Sequence, residues 1–338
     1  MSSTVKPLRH LLDAAKALGP IRVAVADAAQ GLVIETLREA QRIKLVEPRL
    51  VGVPEDIRNA AKKSGWRIAD DMIVPTATDG AAAAKAVELV RGGEADAIMK
   101  GDIHTDTLMH AVLDKERGLR VPGRRVSHVF VMEVPLYSKL LGITDAAINI
   151  APDLNAKAEI LQNAVELFIL IGVKRPKVAV VSAIETVNPA IASTLDAACL
   201  TLMARRGQIQ GAVVDGPLAF DNAISATAAK EKRIDSEVAG DANILLVPDL
   251  VSGNILAKNL EYLAGAVAAG IVVGLSVPLV LTSRADPPAA RLASLALAAL
   301  MHHRRPKEPP RPAKPETSLN CAPQPESECC PLAVSDTR

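Results

Sequence analysis

Aromatic residues make up only 2% of this 338-residue chain, and neither sign of charge dominates: 39 Lys plus Arg face 38 Asp plus Glu, a formal net charge of +1. A nucleic-acid surface needs a basic excess and commonly stacking aromatics, so no nucleic-acid partner is expected. Cysteine is nearly missing from the body of the chain. Of the four, only Cys199 lies there, and Cys321, Cys329 and Cys330 sit near the C-terminus, which leaves neither a disulfide framework nor metal-ligand spacing. The first twenty residues carry Lys6, Arg9, His10, Asp13 and Lys16, so no apolar stretch fit for secretion forms. A reducing cytoplasm is the expected compartment. One uncharged run, residues 262–283, has the length of a bilayer span. Gly265, Gly270, Gly274 and Pro278 interrupt it, and its last part, VPLVLTS, is β-branched like a buried strand. A helix, a turn and a strand are expected there, and no membrane contact.

What the chain does have is aliphatic. Hydrophobic residues reach 49%, mostly Ala, Val, Leu and Ile, the mixture of aliphatic helices packed on β-branched strands. Short apolar runs recur at 21–28, 95–101, 126–135, 146–152, 177–183, 211–217, 242–249 and 277–283. Helical stretches such as DGAAAAKAVELVRGG and NAKAEILQNAVELFILIG separate them, which predicts an α/β fold with largely parallel sheets. Beyond His303 the chain turns rich in Pro, Ser and charge, so residues 306–338 read as a disordered Pro-rich tail.

In parallel sheets ligands collect at the carboxyl ends of strands, and the loops there carry the candidate chemistry. LTSRAD places Ser283, Arg284 and Asp286 after a strand: a hydroxyl to donate to an oxyanion, a guanidinium to hold phosphate, and a carboxylate to accept a proton. The same residues also suit a helix cap before Pro287. MKGDIHTDTLM places Lys100, Gly101, His104 and Thr105 at another strand end, as phosphate partners and a titratable ring. VSHVFVMEVP adds Ser127 and His128. In PDLVSGNILAKNL, Asn254 and Lys258 fall four apart on one helix face. Asp215 and Asp221 flank Gly216 without a histidine partner, and no metal is expected.

Taken in order, ADAIMKGDIHT, RRVSHVFVMEVP, DAAINIAPDLNAKAEI, PKVAVVSAIET, SEVAGDANILLVPDLVSGNILAK and VPLVLTSRAD resemble the phosphate acetyltransferase and phosphate butyryltransferase family, over nearly the whole chain to about residue 300. The resemblance implies a two-domain fold like that of isocitrate and isopropylmalate dehydrogenases, with the active site in the cleft between domains and a homodimeric assembly. The first domain would comprise residues 1–145 plus 277–305, and the second 146–276. The implied reaction is acyl-CoA plus phosphate giving acyl phosphate plus coenzyme A, by direct attack in a ternary complex. Coenzyme A is then a substrate, and no metal or redox cofactor is called for. By position Ser283 would stabilise the tetrahedral transition state, Arg284 would bind phosphate or the acyl oxygen, and Lys258, His104 and Thr105 would meet the ligands.

Two departures from the acetyltransferase branch stand out. Ala289 and Ala290 occupy the stretch where that branch has a thiol-deprotonating aspartate, which leaves Asp286 as the nearest carboxylate. Met109 and His110 stand where that branch has an arginine for coenzyme A. SRAD resembles the butyryltransferase branch and shifts the expected acyl group toward four carbons. Two other readings are a non-catalytic acyl-CoA sensor and an NAD-dependent decarboxylating dehydrogenase of the same fold. The dehydrogenase would need an aspartate cluster for a divalent metal, which the sequence does not show.

Overall fold

The computed structural model describes residues 8–283 and 286–305. Arg284 and the tail expected from residue 306 lie outside the described residues. Described residues up to Arg304 form one compact unit built on a single 11-stranded sheet. Five parallel strands form one side, in the order β3 (Ile73–Pro75), β2 (Val46–Gly52), β1 (Ile21–Ala26), β4 (Ala97–Lys100) and β11 (Leu279–Val280). Next come β10 (Val267–Val273), β5 (Ser127–Glu133) and β6 (Leu141–Thr144), each antiparallel to the strand before it. Parallel pairing resumes through β9 (Ile244–Leu246), β7 (Lys177–Val181) and β8 (Val213–Leu218).

The helices begin where the sequence supplies caps. Thr78 accepts from the Ala81 N–H at the start of α4 (Asp79–Arg91), and Asp153 from the Ala156 N–H at the start of α6 (Leu154–Leu170). Asp249 accepts from the Ser252 N–H to open α10 (Leu250–Leu263). The last helix, α11 (Pro288–Arg304), enters through prolines and carries an Ala and Leu face that is buried almost throughout. It packs against α1 (Leu8–Lys16), α2 (Gly31–Arg42) and β10, while β11 pairs with β4, so the end of the chain is built into the half of the sheet formed by its beginning.

Strand alternation sorts the core onto two faces. On β10, Ala269, Ile271 and Val273 join one continuous cluster under α1, α2, α6 and α11. On the other face Val272 belongs to a cluster with α4 and α5 (Thr105–Leu113), whereas Ala268 belongs to a separate one that includes Ala257 of α10. Gly270 stands between them. One face is thus covered without a break, and the other carries two cores with a gap over the antiparallel strands.

Two expectations about local structure are corrected. The helix expected within residues 262–276 is strand β10; AVAAGIVV reads as helical by its alanines, but these residues pair with β5 and β11, and tertiary pairing overrides so weak a propensity. The apolar run at 146–152 is a loop, and the strand is the preceding LGIT. Among the described residues no helix is long and apolar enough to cross a membrane.

Gly101 shows how tightly the site loop is seated. Its N–H donates to Ala26 O at 2.9 Å, the Asp102 N–H donates to Asp27 O at 2.7 Å, and an added Cβ at 101 would overlap the Asp27 carbonyl. No rotamer relieves an overlap with backbone. Gly101→Ala should therefore cost about 3 kcal/mol, at the upper end of overpacking effects, read as a lower urea midpoint with an unchanged slope; an unaltered midpoint would contradict this packing.

Candidate active site

The gap between the two smaller cores is a cavity of about 580 Å³. Lys100 at the end of β4, His104 and Thr105 at the start of α5, and His128 on β5 line it. So do Asn254 and Lys258 of α10, and Ser283 and Asp286 of the loop before α11. Eight residues from four separate sequence segments thus meet around one space. Gly101 is not among the lining residues; it fixes the loop from below. Ser127 is placed on the opposite face of the sheet, fully buried, where its Oγ lies 3.0 Å from the Asn163 amide nitrogen of α6. Successive residues of a strand point to opposite faces, so Ser127 and His128 cannot both reach the cavity.

Charged and apolar groups divide the lining, with Lys100 and Lys258 set against Asp106 and Asp286. Lys100 is only 5% exposed, with Nζ 3.5 Å from Gly101 O. Lys258 donates to Glu261 Oε2 at 2.6 Å and lies 5.8 Å from the centre of the Tyr262 ring. Burial pulls the Lys258 pKa down, but the hydrogen bond and charge of Glu261, with Asp286, outweigh it and leave it raised. The first turns of α5 and α10 open on the same space, adding the positive ends of two helix dipoles. Phe130, Leu281, Ile103 and Leu250 supply apolar surface.

A larger cavity, about 690 Å³, lies at the ends of β1, β2 and β3. Four carboxylates line it, Asp27, Asp56, Asp79 and Asp102, against the single cation Lys63. Burial, then the charges of Asp79 and Asp102, push the Asp27 pKa up. Such a field repels a phosphate-bearing ligand, so electrostatics rather than size selects the smaller cleft.

The loop carrying Ser283 is held by contacts that the sequence did not announce. Arg291 of α11 is 1% exposed and donates Nε to Asp286 O at 3.1 Å and Nη2 to Ser283 O at 3.0 Å. Burial lowers its pKa against the opposing charge of Asp286, and a guanidinium stays charged regardless. The Ser283 N–H donates to Asp286 Oδ2 at 2.7 Å, so this carboxylate closes the turn. Burial raises the Asp286 pKa, opposed by that N–H and by Lys258, Arg291 and Lys100. Ser283 itself is exposed at the mouth. An arginine three residues into an Ala-rich helix, on its buried face, was the available signal for Arg291.

The floor of the cleft holds a side chain without partners. His128 is 1% exposed, and neither ring nitrogen has a hydrogen-bond partner. Its ring meets Phe130 edge-on at 4.4 Å. A Cβ at Gly270 would lie 3.1 Å from His128 Nε2 and 2.7 Å from Leu281 O, so only glycine lets the ring pack this close to β10. Asp145, just after β6, is 3% exposed and accepts from the His128 backbone N–H at 3.2 Å and from the Ala147 and Ile148 N–H groups at 2.9 and 3.0 Å. Thr282 is also buried, lines the cavity, and has no hydrogen-bond partner for Oγ1. The sequence reading passed over Asp145 and Thr282.

Burial drives the His128 pKa down to about 4, against the opposing pull of Asp145, with Lys258 pushing the same way as burial. The unfolded chain takes up a proton as pH falls through the ordinary value of 6.5, and the folded chain does not until near 4. The stability tied to the neutral ring is thus complete above 6.5 and is lost between 6.5 and 4, up to roughly 3 kcal/mol. Between those limits the parent should lose more urea stability than His128→Asn does; parallel losses would show that the ring is not held neutral.

Comparison with known proteins shows the family. The family model described as "Phosphate acetyl/butaryl transferase" matches residues 73–299. A phosphate acetyltransferase of Rhizobium meliloti is 52% identical over 296 residues, covering 88% of this chain and 93% of the relative. A phosphate butyryltransferase of Clostridium acetobutylicum is 44% identical over 297 residues, covering 88% and 98%. Among solved structures, a branched-chain phosphotransacylase from Enterococcus faecalis V583 superposes with a TM-score of 0.72 at 33% identity, covering 84% of this chain and 99% of that one. The chain belongs to the phosphate acetyl/butyryltransferase family.

Proposed function

We propose that this chain moves a short acyl group between coenzyme A and inorganic phosphate, and that the cleft lined by Lys100, His128, Lys258 and Ser283 is where it does so. The observation that carries the reading is one cavity in which two lysines and two helix N-termini adjoin the apolar surface of Phe130, Leu281 and Ile103, with a serine hydroxyl at the mouth. Phosphate needs the cations, a short acyl chain needs the apolar wall, and an acyl carbonyl needs a donor when its oxygen becomes negative.

In this reading Lys100 and Lys258 hold phosphate together with Arg284, assigned by its place beside Ser283. Thr105, His104 and Asn254 border the coenzyme A side. The phosphate oxygen and the thiol sulfur attack the same carbonyl carbon in opposite directions of one reaction, within a ternary complex. Ser283 donates to the oxyanion of the tetrahedral species. Asp286 keeps the Ser283 turn closed. The thioester and the acyl phosphate are both activated acyl groups, so the exchange calls for neither a metal nor a redox cofactor.

The two-domain division into 1–145 plus 277–305 and 146–276 also belongs to the proposal, with the cleft as the seam. A cytoplasmic homodimer is part of it too: Val251, Ile255 and Tyr262 are 59%, 56% and 70% exposed along α10, apolar area that a second copy would cover.

Mixing the protein with acetyl-, propionyl- or butyryl-CoA and following free thiol should show release that depends on phosphate, and the relative rates rank the acyl groups. Thioester binding without release would identify a sensor, and NAD reduction with a hydroxy acid a dehydrogenase. Ser283→Ala should lower kcat by roughly a hundredfold or more, the usual loss for one oxyanion donor. A kcat equal to the parent's would remove Ser283 from that role.

A further inference from the structure

We propose that His128 is the proton carrier of the reaction: its ring takes the thiol proton of coenzyme A as sulfur attacks the acyl phosphate, and passes it to the departing phosphate. This rests on the acyl-transfer reading above.

The argument begins with unmet hydrogen bonds. A neutral imidazole has one N–H donor and one lone-pair acceptor. Both are buried in His128 without a protein partner, although buried polar groups are nearly always satisfied. The ring lines the ligand cavity, so bound substrate is what can complete it. A thiol offers a proton to the lone pair, and a phosphoryl oxygen accepts from the N–H; the two substrates supply the two missing partners.

The step balances. The carbon–sulfur bond forms and the bond from the acyl carbon to the phosphate oxygen breaks. The S–H proton moves to the ring lone pair, and a ring proton moves to the released phosphate oxygen. The imidazole begins and ends neutral, and no oxidant, reductant or further reactant enters. In the reverse direction the ring accepts the proton of attacking hydrogen phosphate and returns one to the leaving sulfur.

The surroundings hold the resting ring neutral. Burial and Lys258 from α10 disfavour the imidazolium, and Asp145, anchored by backbone N–H groups, favours it. Lys100 on β4, His104 and Asp106 at the start of α5 and Asp286 before α11 are the other titratable groups around the cavity. A bound phosphate dianion adds negative charge beside the ring at the time the proton is carried. Asp286 is less suited to this task, because its carboxylate already accepts from the Ser283 N–H. A side chain at Gly270 would crowd Nε2, its Cβ lying 3.1 Å away.

The test is the pH dependence of kcat/KM for coenzyme A with acyl phosphate. The parent should be nearly flat between about pH 6 and 8, because the ring supplies the base. His128→Ala should lose about 10²- to 10⁴-fold near pH 7 and recover about tenfold per pH unit toward the thiol pKa near 8.5, as free thiolate replaces the missing base. A loss of the same factor at every pH would indicate a structural role and overturn the proposal, as would an unchanged rate. The alkaline-recovery profile in Asp286→Asn but not in His128→Ala would assign the proton to Asp286 instead. Should the alanine variant fold poorly, His128→Asn repeats the test. Nitrogen-15 spectra of the parent then give a second readout: a neutral ring near pH 7 whose shifts move on adding coenzyme A supports the proposal, and unmoved shifts refute it. A parent that releases no thiol with phosphate and acyl-CoA would fail the acyl-transfer reading itself, a result distinct from all of these.

Discussion

The active cleft exists because strand direction reverses in the middle of the sheet. Parallel neighbours must be joined by crossovers, and those crossovers lay helices over both faces. Two of the antiparallel pairs are linked by short connections, residues 274–278 joining β10 to β11 and 134–140 joining β5 to β6, while β5 and β10 pair from distant parts of the chain. No helix is needed to cross that strip. On one face α6 and α11 cover it all the same; on the other, the α4 and α5 core stops at Val272 and the core with α10 stops at Ala268. Gly270 lies in the interval, and a Cβ there would overlap Leu281 O and crowd His128 and Phe130.

Everything polar in the cleft depends on that opening. Lys100, His128 and Thr282 are each 5% exposed or less, yet they border a cavity instead of packed carbon. Burial of such groups is costly unless something pairs with them. Two helix N-termini, Lys100 and Lys258 are set against Asp106 and Asp286 in this space, while the cavity at the ends of β1, β2 and β3 has four carboxylates against one lysine and suits phosphate less. The charge of Arg291 is spent internally, on the carbonyls of Ser283 and Asp286, and fixes the mouth of the cleft to a helix buried over most of its length.

The order of the elements was largely legible. Runs at 21–28, 95–101, 177–183 and 211–217 became β1, β4, β7 and β8, and the two quoted helical stretches became α4 and α6, because strong periodicity and caps act locally. Strand β10 was mistaken for a helix, and β6 was displaced by a few residues, because Ala- and Gly-rich segments have little preference of their own and take the conformation that their neighbours impose. The site was legible as a set of loops. Eight of the eleven residues chosen from sequence line one cavity; Gly101 underlies it, Ser127 faces away from it and Arg284 is outside the described residues.

The sequence by itself determined the fold class, the family and the types of side chain at the strand ends, since each depends on short-range pattern and residue chemistry. Only the tertiary structure decided which of those side chains share a space. Whether Ser127 or His128 faces the ligand is a matter of strand face, which depends on what packs above and below β5. That His128 is neutral and unpartnered depends on Gly270, Phe130, Asp145 and Lys258, residues brought together across more than a hundred positions of chain. Burial and field are properties of the assembled neighbourhood, and no local pattern records them.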